Sequence, residues 1–426
     1  MKLIEQILAK DNVREALNRV VSNNGASGID GMKVEELRDY MNANWTIIKQ
    51  SILERKYKPA PVRRVEIPKP NGGVRKLGIP TVVDRTLQQS IVQVLTPIFE
   101  AEFQECSYGF RPGRSCEQAV HKLLEYLNEG AEWIVDIDLE KFFDNVPQDK
   151  LMSYVGRIIH DPGTESLIRK YLKSGVLENG IYEATELGTP QGGNLSPLLS
   201  NVMLNELDKE LVRRDLRYVR YADDCVIAVS SEASAKRVMH SVTNWIERVL
   251  GLKVNATKTH VCRPSKLKYL GFGFYKSPQT KQWTARPHEA SVAKFVRNLK
   301  KLCKRSWSIS MSDRITMLNS VIRGWINYFA IGAMKSKLVR IDEHLRTMLR
   351  KVIWKQWKTP QKRAWGLRKL GICNDLAKLT SYSGDRYEWV VRRTCVARAI
   401  SKDVLARRGL VSCLDYYTIR HALKTN

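Results

Sequence analysis

Nowhere in the 426 residues is there an unbroken apolar run of the ~18 residues that a membrane-spanning helix needs. The first twelve residues set Lys2, Glu5 and Lys10 among Leu3, Ile4, Ile7 and Leu8. That is an amphipathic helix, not the continuous apolar core of a signal peptide. Eight cysteines, at 106, 116, 225, 262, 303, 373, 395 and 413, form no CxxC pair, and no histidine cluster accompanies them. A zinc ribbon, a Cys-ligated nuclease centre and a disulfide framework are all disfavoured. The expectation is a chain of the reducing cytoplasm, in a bacterial-type host, with no membrane partner. Repeats and low-complexity tracts are also missing.

Acidic residues are the scarce charge. Against 44 Asp and Glu stand 71 Lys and Arg, a net +27. A protein this basic usually has a polyanionic partner, most often nucleic acid. The excess is uneven: residues 291–426 hold 30 Lys and Arg against 8 Asp and Glu, a net +22, leaving +5 for the first 290. At roughly 100–200 residues per domain, two to four domains are expected.

Helical spacing of Val13, Ala16, Leu17, Val20 and Val21 predicts a helix from Asn12, with Asn12 and Glu15 as a capping box. NGASGIDG (24–31) interrupts it as a loop. VRRVEIPK, Asn71-Gly72-Gly73 and VRKLGI read as strand, turn, strand over 62–79, with a helix from Thr81. Further on come a helix from Ser115, a strand over 132–138, and a helix opened by Pro147. RYVRYADDCVIAV (217–229) has the pattern of a hairpin, and KYLGFGFY (268–275) that of a strand. After about 290 three apolar stripes predict helices, the second through Ile315, Leu318, Ile322, Trp325 and Phe329, the third through Leu338, Ile341, Leu345, Leu349 and Val352. Thr359-Pro360 breaks the pattern.

Asp138 closes an apolar strand, and Asp223 and Asp224 sit at the tip of a hairpin. Carboxylates in such places are costly unless they meet cations. Three that converge can hold two Mg²⁺ ions about 3.5–4 Å apart, the arrangement that drives phosphoryl transfer. Alone, an Asp-Asp pair is an ordinary turn.

VDIDLEKFFDNV, GTPQGGNLSP and RYADDCVI occur in that order, and with them the chain closely resembles reverse transcriptases encoded by group II introns. Tyr221-Ala222-Asp223-Asp224 is similar to that family's YADD box and Asp138 to its first metal-binding aspartate. Gly188–Gly193 with Leu195-Ser196-Pro197, Ser107–Ser115, Leu252–Asn255 with Lys258, and Leu270-Gly271-Phe272 match further boxes. NGASGIDG resembles the template lid, through Gly25, Gly28, Ile29, Asp30 and Gly31, and Arg323–Phe329 resembles the maturase signature. No His pair or cysteine set follows residue 360, so the resemblance is to the endonuclease-lacking class.

The resemblance implies a right-hand α/β polymerase: fingers and palm with an antiparallel palm sheet, then an all-α thumb and a small basic domain. The expected division is a helical N-terminal extension (1–60), fingers and palm (61–290), thumb (291–358) and a DNA-binding region (359–426). It implies RNA-directed DNA synthesis with Mg²⁺ and deoxynucleoside triphosphates, on an RNA template with a DNA primer or target. It also implies intron RNA binding, splicing and mobility. Asp138, Asp223 and Asp224 would be catalytic metal ligands. Lys69, Arg75, Phe143, Gln191, Gly192 and Lys258 would line the nucleotide, Phe143 by excluding a 2′-hydroxyl and Lys258 by protonating pyrophosphate. Arg63, Arg64, Arg114, Arg346, Arg350, Lys351, Lys355 and Lys358 would meet nucleic acid, with Trp354 and Trp357 interleaved. A retron or defence-type reverse transcriptase, a viral RNA replicase, and a non-catalytic splicing factor on the same scaffold are the alternatives.

Overall fold

The computed structural model describes residues 2–68, 72–178, 180–190 and 192–425. Lys69 and Gln191, both expected at the nucleotide, lie outside these. The chain folds as two compact units, Met1–Arg263 and Pro264–Asn426. No helix of the described residues is long and apolar enough to cross a membrane.

In the first unit, strands β1 (Val62–Pro68) and β2 (Val74–Ile79) form the expected antiparallel hairpin. It extends into a four-stranded sheet, in the order β2-β1-β4-β5, with β4 (Val176–Glu178) and β5 (Ile181–Glu183). Thr81 starts the helix Val82–Glu100 by accepting the Asp84 N–H at 3.1 Å. The first unit's other sheet has the order β6-β7-β3-β8, from β3 (Trp133–Ile137), β6 (Arg217–Tyr221), β7 (Asp224–Val229) and β8 (His260–Cys262). All its pairings are antiparallel. Strand β3 lies inside, and Ile134, Val135 and Ile137 are fully or almost fully buried. That explains why its sequence is nearly continuous in apolar residues. The helix Ser196–Arg213 buries most of its length, polar Ser200, Asn201, Asn205 and Asp208 included.

Two readings of the sequence need correction. The helix expected from Asn12 begins at Lys10 with Ala9 as its cap. Asn12 instead donates its amide to the Ile7 carbonyl (2.9 Å) and to Ser90 Oγ (2.8 Å), pinning the N-terminal helices to Val82–Glu100. A side chain claimed by a tertiary partner does not cap. KYLGFGFY is not one strand but two, β9 (Lys268–Tyr269) and β10 (Phe272–Lys276). Leu270 and Gly271 turn between them at φ 48° and 81°.

The second unit starts with β9, β10 and β11 (Trp283–Pro287), a small sheet of its own. The two compact units thus divide at 263/264. Helices Glu289–Leu302, Met311–Phe329 and Lys335–Gln356 follow. The maturase-like aromatics are packing residues here: Trp325 stacks on Phe295 (4.3 Å between centroids), and Phe329 meets Phe272 (4.9 Å). Thr359-Pro360 ends one helix and caps the next inside the same unit. The last helix, Cys413–Thr425, is anchored by Asp342, whose carboxylate accepts the N–H groups of Cys413 (2.9 Å) and Leu414 (3.0 Å).

Candidate active site

Sheet register brings the acids together. Ile137 of β3 faces Cys225 of β7. One step further along the two strands sets Asp138 beside Asp224. Tyr221 and Asp224 close the β6–β7 hairpin, so Ala222 and Asp223 form its tip, with Ala222 at φ 56°. The backbone of Asp138 is fixed on both sides: its N–H donates to Thr259 Oγ1 (3.1 Å) and its carbonyl accepts the Asn255 N–H (2.8 Å). Lys258, exposed, lays its ammonium 3.2 Å from Asp138 Oδ2.

The electrostatics record the crowding. Burial, then the charges of Asp223, Asp136 and Asp138, push the Asp224 carboxyl up to about 6, with Lys258 opposing. Asp224 still keeps part of its surface exposed. Burial, with Asp138 as a repelling neighbour, raises Asp136 to about 6 as well, and His260 opposes. Asp223 is raised by burial and by Asp138, while Arg75 and Arg220 pull it down. Arg75 of β2 is therefore within electrostatic reach of Asp223. Asp136 is a fourth carboxylate that the sequence reading passed over. Its signal was present: residues i and i+2 of a strand share a face, and Asp136 stands two before Asp138.

Among the described residues, no three His, Cys, Asp or Glu side chains already form a metal cage. The donor set nevertheless suits a hard cation. It is all oxygen, and burial, with the members' mutual repulsion adding to it, raises two of them to about 6. A divalent ion would relieve that repulsion, as the Lys258 ammonium does in part.

Phe142 is buried and Phe143 half-buried, their rings edge to face at 5.3 Å. The glycine-rich loop is stitched to this corner. Thr189 N–H donates to the Phe143 carbonyl (2.7 Å), Gly188 N–H to the Val146 carbonyl (2.8 Å), and Gln148 Nε2 to the Gly188 carbonyl (3.1 Å). A Cβ at Gly188 would stand 2.7 Å from the Phe143 carbonyl oxygen, and one at Gly192 would stand 2.6 Å from that of Gly78 in β2. Both positions also have positive φ, so glycine is required twice over. The loop is therefore hydrogen-bonded to the segment bearing Phe143 and passes close against β2. A cavity of about 290 Å³ opens there, lined by Arg64, Lys76, Gly78, Phe143 and Thr189 among others.

The reverse transcriptase (RNA-dependent DNA polymerase) family pattern matches residues 67–274. The group II intron maturase-specific domain matches 292–371. The chain belongs to the group II intron reverse transcriptases. It is 33% identical over 300 residues to protein YkfC of Escherichia coli K12, covering 61% of this chain and 79% of YkfC. It is 37% identical over 249 residues to the group II intron-encoded protein LtrA of Lactococcus lactis subsp. cremoris, covering 56% of this chain and 40% of LtrA. A putative COX1/OXI3 intron 2 protein of Saccharomyces cerevisiae is 27% identical over 342 residues, 66% of this chain and 38% of that one. The chain thus spans about four-tenths of LtrA and of the yeast protein. The family uses divalent metal ions, and nucleic acids such as intron RNA are its partners.

In this group II reverse transcriptase the residues expected to meet nucleic acid fall into two sets. Several are already engaged within the fold. Arg64 pairs with Glu178 (3.1 Å) and Glu183 (3.3 Å), and Arg114 with Glu105 (2.9 Å). Lys351 pairs with Glu388. The Arg350 guanidinium donates to the Ile400 (3.0 Å) and Ala397 (3.2 Å) carbonyls, clamping the end of the helix Thr394–Ala399. Trp354 is fully buried, its indole N–H donated to the Gly384 carbonyl, so it is core rather than platform. Lys355 and Lys358 are exposed. Lys355 borders a basic hollow with Lys304, Arg305 and Lys351. Arg346 lines a small cavity beside Asp342 and Asp415, and Arg63 is half-buried in β1.

The lid-like loop is seated on the start of Val82–Glu100. Arg85 reaches the Ala26 carbonyl, and a Cβ at Gly28 would fall 2.6 Å from Thr81 Cα. At Gly25 a Cβ would fall 2.5 Å from the Arg85 guanidinium. Asp30 accepts the Met32 N–H (3.3 Å), Gly31 takes φ 71°, and Ile29 is half-buried.

Proposed function

We propose that the chain copies RNA into DNA by extending a DNA primer with deoxynucleoside triphosphates, and that it binds intron RNA as a maturase for splicing and target-primed mobility. The observation that carries this reading is the convergence of Asp138, at the end of β3, with Asp223 and Asp224, at the β6–β7 turn, within electrostatic reach of Arg75. Asp138, Asp223 and Asp224 would hold two Mg²⁺ ions, which when bound activate the primer hydroxyl and stabilise the departing pyrophosphate. Arg75 would supply a fork for triphosphate oxygens. Phe143 would fill the space of a ribose 2′-hydroxyl, and Gly192 would let backbone approach the nucleotide. Lys258, freed from Asp138, would give a proton to the leaving group. Lys69 and Gln191 keep their expected nucleotide contacts as part of this proposal, as does the four-part division at 60, 290 and 358. Exposed cations of the second unit would hold phosphates, and the Gly25–Gly31 loop would cover the template.

The experiment is extension of a DNA primer on an RNA template with Mg²⁺ and the four deoxynucleotides. Full-length product with the parent chain and none with Asp223→Ala is expected. No RNA-templated product from the parent chain would overturn the reading.

A further inference from the structure

The turn bearing Asp223 and Asp224 is held from behind by a side chain that never reaches the cleft. Arg220 is completely buried. A guanidinium has five N–H donors in a rigid plane, and here every one is taken. Nε donates to Asp208 Oδ1 (2.8 Å). Nη1 donates to Asn201 Oδ1 (3.1 Å) and to the Ala222 carbonyl (2.8 Å). Nη2 donates to Ser107 Oγ (2.7 Å) and Asp208 Oδ2. Asp208, also fully buried, supplies the countercharge.

The bond to the Ala222 carbonyl gives this cluster its consequence for the site. Ala222 holds φ 56°, a left-handed conformation that a residue with a Cβ adopts only when its surroundings impose it. Arg220 grips the carbonyl that follows this residue, directly before the peptide of Asp223. The other side of the turn is closed by the segment after Cys106. Arg220 N–H donates to the Cys106 carbonyl, Tyr108 N–H donates to the Arg220 carbonyl, both at 2.9 Å, and Asn201 fixes the Gly109 carbonyl at 2.8 Å. A Cβ on Gly109 would stand 2.1 Å from Ala222 N, so that segment lies directly against the turn.

We propose that Arg220, with Asp208 behind it, is a positioning residue: it holds Ala222 left-handed and so sets where Asp223 and Asp224 present their carboxylates. The inference rests on the polymerase reading of the same site. It separates Arg220 from residues that merely fill a core, because its planar fork joins three segments at once: the helix Ser196–Arg213, the Ser107 segment and the turn itself. Lysine keeps the charge against Asp208, but its donors radiate from one point and cannot span Asn201, Ser107 and the Ala222 carbonyl together.

The test uses the full chain on an RNA template with a DNA primer. Arg220→Lys should leave affinity for the primer–template unchanged. The single-turnover rate of nucleotide addition should fall about 10²-fold, the size of effect that misplacement by about 1 Å produces. Mn²⁺ binding without nucleotide, followed by the paramagnetic resonance of the free ion, should weaken as well. Adding Ala222→Gly to Arg220→Lys should recover part of the rate, because glycine enters the left-handed region without a clamp. If Arg220→Lys does not fold, Asp208→Asn carries the same measurements. Unchanged rate and Mn²⁺ binding in the folded variant would overturn the proposal. So would a rate loss with unchanged Mn²⁺ binding and no recovery by glycine, which would leave Arg220 a core residue. Failure of the polymerase reading looks different: the parent chain itself would then extend nothing.

Discussion

The two compact units contrast sharply in charge. Residues 264–426 carry 35 Lys and Arg against 9 Asp and Glu, a net +26, which leaves 36 against 35, a net +1, in residues 1–263. The near-neutral unit balances its cations with nearly as many acids, and a few pairs are internal or sit at the site. Arg111 is buried against Glu100, Arg220 against Asp208, and Lys258 rests on Asp138. The basic unit leaves many facing out: Lys294, Arg297, Lys300 and Lys301 are exposed on the helix whose Phe295 and Leu299 are buried. The difference teaches a division of labour. A carboxylate cluster meant for a divalent ion is best kept where the surrounding charge is close to balanced. A grip on a polyanion gains from cations that have no internal partner, because each phosphate neutralised releases counterions.

The sharpest way to break this comparison is at the acids. Asp223→Ala should abolish primer extension while RNA affinity persists, as measured by extension beside filter binding. Near-normal extension would remove the site from the first unit. Next in size, Phe143→Ala should raise the ratio of ribo- to deoxynucleotide incorporation by about 10–10²-fold, the scale on which a pocket discriminates one small group. An unchanged ratio would make Phe143 a packing residue like Phe142.

A smaller effect sharpens the second unit's role. Arg350→Ala orphans two backbone carbonyls and should cost about 1–3 kcal/mol of stability, read by denaturant unfolding. It should leave the salt dependence of RNA binding nearly intact, because that guanidinium already serves Ile400 and Ala397. The smallest effect concerns pH. The native carboxyl of Asp224 is raised to about 6. The native state therefore holds a proton that the unfolded chain releases near 4, so this group costs stability progressively as pH rises from about 4 to 6. Metal-free Asp224→Asn should gain stability relative to the parent across that window, as seen in melting temperature. A difference that does not vary with pH would contradict the crowded-carboxylate picture.

Much of this was legible in the sequence because local pattern and tertiary context agreed. The 62–79 hairpin, the 217–229 hairpin and the stripes at Leu318 and Leu345 all appear where periodicity sets them. Asp138, Asp223 and Asp224 were found because the boxes around them occur in order along the chain, since an Asp-Asp pair at a hairpin tip is by itself an ordinary turn. What stayed hidden was set by partners distant in the chain. Asn12 looked like a cap until Ser90 claimed it. Arg350 looked like a phosphate contact, since helical spacing says which face a residue shares and not whether a carbonyl 47 residues away waits for it. Arg220 sat beside the YADD box unremarked, because its role depends on Asp208, Asn201 and Ser107 folding around it.

The division of labour itself is tested most directly by one paired titration. Lys294, Arg297, Lys300 and Lys301 are changed together to Gln, and affinity for RNA is measured against salt beside single-nucleotide addition on a pre-bound primer at low salt. The parent slope of log affinity against log salt should be steep, and the variant should lose about 0.7–0.9 for each phosphate contact removed. Affinity should weaken across RNA sequences alike, since phosphate contacts carry little sequence information. The rate of addition should be nearly unchanged. A variant that kept the full slope, or one that lost the rate while binding normally, would contradict the separation of chemistry in the first unit from grip in the second.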